Sequence, residues 1–391
     1  MRIFLGLMLF VLTIFAFDQP VLLGNPYINI YEKGEMIYAR NIWDMQLYQG
    51  KIYLGAGNSS NEGPASNAGR VKIFSLNPTN EKFSFEYEVA EEQVDLFKVY
   101  NKTLYIPGHD ATENWEYGNI YIKRNGAWIK NRTLKNALHV YDLVVKNNTI
   151  FTAVGLDKHG AVFIGDADGE NWEELSQGKG RVYNFLELGN ELLATKVFKP
   201  TNTKNFSVSQ WMNELKTFTP IPEFTAANMF PDTILENKNV KIMKALKFNA
   251  SSSLYLGVYT HNDHQNIPFG AYLVSNQNNT FNSSKITLPE ESIPRDILVR
   301  NNNFYILVNI PKNDKEIIKV LKFNKANWNK SEEVVSFEYG SFSRSFEEIN
   351  GCFYFGIGSE IKNPKYWDQN ELKNETGEIV KFCTKKNKGK L

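Results

Sequence analysis

The stretch WDMQLYQGKIYLGAG (43–57) consists of two short apolar strands joined by a tight polar turn. The turns of its counterparts are mostly Gly and Asn, which tolerate the positive φ of hairpin turns, and the flanks are rich in β-branched and aromatic residues. This stretch and its counterparts therefore predict a series of β-hairpins. The counterparts are DLFKVYNKTLYIPGH (95–109), YDLVVKNNTIFTAVG (141–155), YNFLELGNELLATKV (183–197), MKALKFNASSSLYLGVY (243–259), RDILVRNNNFYILVN (295–309) and RSFEEINGCFYFGIG (344–358).

The hairpins recur about every 50 residues, which is the spacing of propeller blades. Each is followed by a third strand, such as RVKIFSL (70–76), and most copies by a fourth, such as FSFEYEV (83–89). This pattern predicts an all-β protein, a seven-bladed β-propeller of four-stranded blades. A ring of six or eight blades and a pair of β-sandwiches are the alternatives, and the even spacing from 43 to 383 favours one ring.

The last copy predicts how the ring closes. It ends with GEIVKFC (377–383) and lacks a fourth strand, while GEMIYAR (34–40) precedes the first copy without a hairpin of its own. We therefore predict one propeller domain over 34–383 in which segment 34–40 completes the last blade and removes an exposed sheet edge. Cys352 and Cys383 fall at neighbouring strand ends of that blade, so a disulfide is expected; two free buried thiols are the alternative.

The N-terminus is typical of an exported protein. Residues 1–17 contain Arg2 and a 15-residue apolar core, too short for an ordinary membrane span. Cleavage is expected after Ala16, or as late as about Gly24, and an uncleaved anchor stays open. We expect a secreted or periplasmic protein with a basic tail over 384–391. Asn-x-Ser/Thr sequons, which would carry glycans in a eukaryotic host, occur at Asn58, Asn101, Asn131, Asn147, Asn205, Asn249, Asn278, Asn282, Asn329 and Asn374.

Composition excludes one class of partner. The 44 basic and 43 acidic residues give a net charge of +1, with no basic stripe. Nucleic-acid binding normally requires such a stripe, so no nucleic-acid partner is expected. No P-loop, nucleophile elbow or paired-Cys motif occurs, and no cofactor is expected.

The loops on one face of the predicted ring carry the candidate binding residues. Loops that lead into first strands, and loops between second and third strands, are the long ones, and function concentrates in such loops. Converging Arg side chains there would bind a carboxylate, sulfate or phosphate. The alternative is that each Arg pairs with an Asp of its own repeat. The candidates are Arg40, Arg181, Arg295 and Arg344, with His139 and Tyr141 at the comparable place in the third copy.

A recurring acidic position inside the first strands suggests architecture rather than binding. Asp44, Asp142 and Asp296 share this position, with Asn184 in the fourth copy. We expect these side chains to accept hydrogen bonds from backbone N–H groups.

Aromatic and polar loop residues suggest a sugar site. Rings stack on the C–H faces of sugars while polar groups bind the hydroxyls; the alternative is that each Trp packs under its own loop. The candidates are His109, Asp110, Trp115 and Glu116 in one loop and Trp367 and Asp368 in another. His261, Asp263 and His264 are weak metal candidates, which His109 or His159 would have to complete, so no metal is predicted.

The segment GDADGENWEEL (165–175) adds a resemblance. Asp166, Asp168, Gly169 and Trp172 resemble the Asp-box turn, S-x-D-x-G-x-x-W, of extracytoplasmic propellers of the sialidase superfamily. The resemblance implies a blade turn on the face opposite the long loops, with Asp168 accepting backbone N–H bonds and Trp172 packed between sheets. Sialidases also use an Arg triad and an R-I-P motif. R-I-P does not occur here, so no catalytic role is carried over.

Three functions follow as hypotheses. The first is an exported propeller that binds a glycan or another anionic ligand on its loop-rich face. The second is a carbohydrate-active hydrolase or lyase with carboxylates from the loops near 110–116 and 359–368. The third is a protein-interaction scaffold.

Overall fold

The structure, a computed structural model, is almost entirely β. It describes residues 19–32, 34–59, 67–199, 206–235, 238–261, 265–277, 280–361 and 372–384. Within these ranges the only helical elements are a 3-10 helix at Gly34–Arg40 and a short helix α1 at Ala226–Met229. The strands form seven antiparallel four-stranded sheets, as predicted.

Each sheet is one blade, and strands follow one another in chain order from the inside of the ring outward. The first three blades are β2 to β5 (Asp44–Tyr48, Lys51–Gly55, Val71–Asn77, Lys82–Val89), β6 to β9 (Lys98–Tyr100, Thr103–Pro107, Tyr117–Arg124, Ala127–Lys135) and β10 to β13 (His139–Lys146, Thr149–Gly155, Gly160–Gly165, Trp172–Ser176).

The next three blades repeat this arrangement. They are β14 to β17 (Val182–Leu188, Glu191–Lys196, Val208–Met212, Thr217–Pro220), β18 to β21 (Val240–Lys247, Ser252–His261, Gln265–Gln277, Thr280–Lys285) and β22 to β25 (Ile293–Arg300, Asn303–Lys312, Lys315–Asn324, Asn327–Tyr339).

The seventh blade joins the two ends of the chain, and here the sequence prediction was half right. Its strands are β26 (Ser343–Ile349), β27 (Cys352–Ile357), β28 (Ile379–Cys383) and β1 (Val21–Gly24). An N-terminal strand does complete the blade, but it is β1 and not segment 34–40. That segment is a 3-10 helix, extended by a bond from the Asn41 N–H to the Tyr38 carbonyl.

The predicted disulfide is confirmed. Cys352 and Cys383 are directly opposite each other in β27 and β28, with Cα atoms 4.0 Å apart. The bond links the last two strands contributed by the C-terminal part of the chain, in the blade that closes the ring.

Hydrophobic packing between neighbouring blades forms the core. The residue at the centre of each second strand is buried, and two of these residues show how neighbouring blades pack together. Tyr53 packs edge-on against Trp128, with ring centroids 6.3 Å apart, and Phe151 against Trp211 at 5.2 Å. Such contacts combine apolar burial with favourable ring geometry. The equivalent buried residues are Tyr53, Tyr105, Phe151, Leu193, Tyr255, Tyr305 and Tyr354.

Buried carboxylates join the inner strands, as expected for the recurring Asp position. Asp44 accepts the Phe97 N–H of the second blade at 2.7 Å. Asp142 and Asp296 bind the first strands of the fourth and seventh blades in the same way, at 2.9 and 3.1 Å. A buried carboxylate needs such donors, so these contacts fix the register of one blade against the next.

The Asp-box-like turn connects β12 to β13, on the face opposite the long loops. Trp172 packs between blades and donates its indole N–H to the Thr133 hydroxyl of the second blade at 2.8 Å. The role expected for Asp168 belongs to Asp166, whose carboxylate accepts the Glu170 N–H at 3.1 Å. Asp168 instead extends to Arg124, because its side chain lies outside the turn.

Burial excludes two of the sequons as glycan acceptors in the folded protein. Asn58 is 1% exposed and Asn131 is 8% exposed. Asn131 also donates its amide to the Asp168 carbonyl, inside the contact between two blades. A glycan on either side chain would displace buried structure.

Candidate functional site: a cationic axial cavity

A cavity of about 450 Å³ opens among the long loops at the centre of the ring. Side chains of the innermost strands point toward the axis, so equivalent positions of different blades meet there. One position, the first residue of each repeat, lines this cavity in all seven blades. Its occupants are Trp43, Asp95, Tyr141, Tyr183, Met243, Arg295 and Arg344.

An ion bridge across the axis forms the floor. The Lys244 ammonium lies 2.7 Å from Asp44 of the first blade and 2.7 Å from Asp296 of the sixth. Burial acts against the charge, but the two carboxylates outweigh it and raise the pKa of Lys244 above its ordinary value. Lys244 also borders a second cavity, of about 900 Å³, on the short-turn face. The bridge therefore divides the axial channel into two chambers.

Three cationic side chains on one side of the cavity form what we call the first basic cluster: His109, Arg181 and Lys241. Arg181 donates to the Tyr141 hydroxyl at 2.7 Å, and the Lys241 ammonium lies 4.6 Å from the centre of the Tyr183 ring. Burial lowers the pKa of Lys241 to about 8, with Arg181 adding to the effect. Lys241 is therefore a cation that loses its proton more readily than an ordinary lysine.

His109 is held by a carboxylate. Its Nδ1 lies 3.1 Å from Asp95. Burial alone would lower the pKa of His109, but the Asp95 charge and hydrogen bond outweigh it and raise the pKa to about 9. His109 is therefore an imidazolium at neutral pH. A second His–Asp pair adjoins it, in which His139 lies 2.9 Å from Asp110 and stacks on Tyr141.

Two arginines on the opposite side form the second basic cluster: Arg295 and Arg344. Both guanidinium groups lie over the Phe342 ring, at 4.1 and 5.1 Å, and Arg344 also lies 4.1 Å from Trp43. Arg295 pairs with Glu360 through two contacts of 3.3 Å. Such stacking orients a planar guanidinium for bidentate recognition of an anion.

Hydrogen bonds to neutral groups hold Arg344 in place. Its Nε donates to Asn41 at 3.0 Å and its Nη2 to the Ser359 carbonyl at 2.8 Å. Burial lowers the pKa of this guanidinium, which nevertheless stays charged.

Three of the cavity cations lack an acidic partner within the described part of the chain. Across the described residues, no carboxylate oxygen lies within ion-pair distance of Arg181, Lys241 or Arg344. Partly buried cations without a counter-charge lose hydration that hydrogen bonds to neutral groups replace only in part. An anionic ligand would replace it.

The structure brings together only part of the residues predicted from sequence. Arg181, Arg295, Arg344, Tyr141 and His109 line the cavity, and His139 with Asp110 lies directly behind it. Arg40 does not line the cavity, because its guanidinium donates to the Tyr31 and Glu32 carbonyls and anchors the N-terminal segment.

Other predicted loop residues lie elsewhere. Trp115 is 62% exposed and does not pack as a local core, and neither it nor Glu116 lines the cavity. Trp367, Asp368, Asp263 and His264 lie outside the described residues, as does the side chain of His261. Among the described side chains, no group of three or more potential ligands could hold a metal ion. His159 pairs with Glu174 instead.

Sequence reasoning missed several cavity residues. Lys241, Asp95, Trp43 and Tyr183 were not proposed as site residues, yet three of these four are the first residues of their repeats. The repeat alignment therefore contained the signal, because one register position faces the axis in every blade. Lys241 lies two residues earlier in its strand, at the position that His139 and Arg181 hold before their own repeats, so the alignment contained this signal as well.

Comparisons with known proteins show the fold. No family model and no curated protein matches the sequence. An ulvanlyase, described as a polysaccharide lyase bound to GlcA(1-4)Rha3S, has a TM-score of 0.50 and 9% identity, covering 94% of each chain. The propeller domain of the Trilobed protease from Pyrococcus furiosus has a TM-score of 0.49 and 9% identity, covering 81% of this chain and 88% of its own. At 9% identity the likeness to the ulvanlyase concerns the fold alone, and the propeller architecture itself rests on the seven sheets of this structure.

No helix among the described residues is long and apolar enough to cross a membrane.

Proposed function

We propose that this protein is an exported propeller that binds an acidic saccharide in the axial cavity. The observation that carries the proposal is a set of three cavity cations that have no acidic partner among the described residues: Arg181, Lys241 and Arg344. The aromatic rings of Tyr183 and Trp43 also line the cavity, so a ligand there would meet apolar ring surface next to the charges. Charge and stacking together favour a ligand that is both anionic and rich in hydroxyl groups.

Export and affiliation with the Asp-box superfamily belong to the same proposal. The disulfide supports an oxidising compartment, which the apolar N-terminal segment would provide by directing export. The Asp166 turn and the inter-blade position of Trp172 support the affiliation.

A direct binding experiment tests the proposal. The probe is the disaccharide of glucuronate and rhamnose 3-sulfate, the acidic saccharide found on a protein of the same fold. We expect calorimetry to detect binding that Arg181→Gln weakens roughly 10- to 100-fold, the loss expected for a charged hydrogen-bonding partner. Lys247→Gln, at an exposed lysine on the other face, should leave affinity unchanged. Equal affinities for all three proteins would contradict the proposal.

A lyase is the second candidate, favoured by the Tyr141–Arg181 pair. Eliminative cleavage of a uronate needs a cation to neutralise the carboxylate and a base to remove the proton on the adjacent carbon. The bond to the leaving sugar then breaks and its oxygen takes up a proton. Arg181 would bind the carboxylate. Its charge, 2.7 Å from the Tyr141 hydroxyl, would also favour the phenolate that removes the proton, against the burial that raises the pKa of Tyr141.

The geometry gives less support to a hydrolase activity. Asp110 is paired with His139, and Glu113 with Lys130 at the outer part of its blade. Neither carboxylate lines the cavity.

The lyase has its own test. Incubation with a glucuronate-containing polysaccharide should produce an unsaturated uronate, which is detected by its ultraviolet absorbance. Tyr141→Phe should abolish this product while leaving saccharide affinity within about threefold, because it removes the proton-transfer group and not the guanidinium. If the unsubstituted protein binds the polysaccharide but forms no unsaturated uronate, the lyase activity is rejected and the binding function stands.

A further inference from the structure

We propose that the cavity recognises two acidic groups of one ligand at once, one at each basic cluster. The proposal rests on the binding function above and narrows its ligand to saccharides with at least two anionic groups. It follows from how the cavity charges are distributed around the ring.

The two clusters belong to different parts of the ring. The first contains His109 of the second blade, Lys241 of the fifth and Arg181 at the start of the fourth. The second contains Arg295 and Arg344 of the sixth and seventh blades. Around the rim, the two clusters are separated by Met243 on one side and Trp43 on the other, neither of which is charged.

Each cluster retains positive charge after its internal pairs are counted. In the first, Asp95 faces His109, and Arg181 and Lys241 are not paired with any described carboxylate. In the second, Glu360 pairs with Arg295, and the acceptors that Arg344 contacts in the described ranges, Asn41 and Ser359, are both neutral. The Nη1 atom of Arg344 makes no hydrogen bond within the described part of the chain.

The floor of the cavity does not supply a third anion site. Lys244 is the cation of the floor, but Asp44 and Asp296 both neutralise its charge. An anion placed there would meet two carboxylates. The electrostatic minimum for an anion is therefore split between the two walls.

A cycle of ligand and protein changes tests the proposal. The ligands are the disaccharide of glucuronate and rhamnose 3-sulfate, its desulfated form, and a form in which the carboxyl is reduced to an alcohol. Each is titrated by calorimetry against the unsubstituted protein, Arg181→Gln and Arg344→Gln. Arg181→Lys and Arg344→Lys, which keep the charge, and thermal unfolding of every variant control for folding.

We expect each acidic group to be coupled to a different cluster. Removing one acidic group should weaken binding roughly 10-fold or more. With that ligand, one of the two arginine substitutions should no longer change the affinity, whereas the other should weaken binding as much as before. Removing the other group should give the reverse pattern.

Two other results would overturn the inference. In the first, both acidic groups are coupled to Arg181, and Arg344→Gln has no effect on affinity. The cavity then has one anion site, and the proposed binding function stands without a second anion site. If none of the ligands binds the folded protein, both the inference and the binding function fail.

Discussion

At the residue scale, the same environment moves two cavity groups in opposite directions. Lys241 and His109 are both buried near Asp95, but only His109 contacts that carboxylate directly. The pKa of Lys241 is lowered by burial to about 8, whereas the pKa of His109 reaches about 9 because Asp95 outweighs burial. The short distance between His109 and Asp95 decides the sign, because the carboxylate charge acts most strongly on the nearer cation.

These pKa values predict a pH dependence of anion binding. Both groups are cations below pH 8, so affinity should be constant between pH 6 and 7.5. It should weaken as pH rises through about 8, where Lys241 loses its proton, and again through about 9, where His109 does. Calorimetric titration with the disaccharide from pH 6 to 10 measures this.

Substitution separates the two steps. His109→Gln should remove the step near pH 9 and keep the step near pH 8, while the nearby Asp110, His139 and Tyr141 stay in place. An affinity that does not change between pH 7 and 10 would show that neither group contacts the bound anion.

At the element scale, the inner strands carry both the architecture and the site. Their second repeat position holds the carboxylates that join blades, and their first position lines the cavity. The fifth blade departs from this rule, because Lys244 occupies the position that is acidic in three other blades. A cation there can bind two of those carboxylates across the axis.

This arrangement predicts a large effect of removing Lys244. Lys244→Met should lower the free energy of unfolding by about 3–5 kcal/mol, because it leaves Asp44 and Asp296 as buried charges without their counter-ion. Lys247→Met, at an exposed lysine of the same strand, should change it by less than about 0.5 kcal/mol. Urea denaturation followed by fluorescence measures both.

A compensating variant provides the critical comparison. Adding Asp44→Asn and Asp296→Asn to Lys244→Met removes the unpaired charges and should recover part of the loss. A triple variant less stable than Lys244→Met alone would mean that the carboxylates stabilise the inner strands without the lysine.

At the scale of the whole molecule, stability depends on joining the chain ends. β1 pairs with β28, and Glu347 of the seventh blade accepts the Leu47 N–H of the first blade at 2.7 Å. The N-terminal segment is held further by Arg40 and by the Tyr27 hydroxyl, which donates to the Leu54 carbonyl at 3.1 Å. Cleavage of a signal peptide after Gly24 would remove β1, whereas cleavage after Ala16 would keep it.

A truncation measures the contribution of this strand. A chain that begins at Asn25 should unfold several degrees lower and aggregate more readily than a chain that begins at Gln19, because the edge of β28 is left unpaired. Differential scanning calorimetry and light scattering check both effects. Equal melting temperatures would show that the three remaining strands and the disulfide suffice to close the ring.

The sequence alone determined the repeat and therefore the fold. Hairpin turns and alternating apolar residues are local signals, and their even spacing specified seven blades. The Cys352–Cys383 pair followed from the same register, since strand neighbours within one blade lie close in sequence. The closing strand was misplaced because a four-residue strand such as Val21–Gly24 carries almost no pattern.

Only the tertiary structure decided the site. Lys244 pairs with residues 200 positions before it and 52 after it, and no local pattern links such positions. The same holds for Lys241 beside Arg181, and for Arg40, whose predicted cavity position is replaced by an anchoring role. A propeller assembles its axis from residues of every blade, so sequence specifies each blade, while ring closure determines which side chains meet.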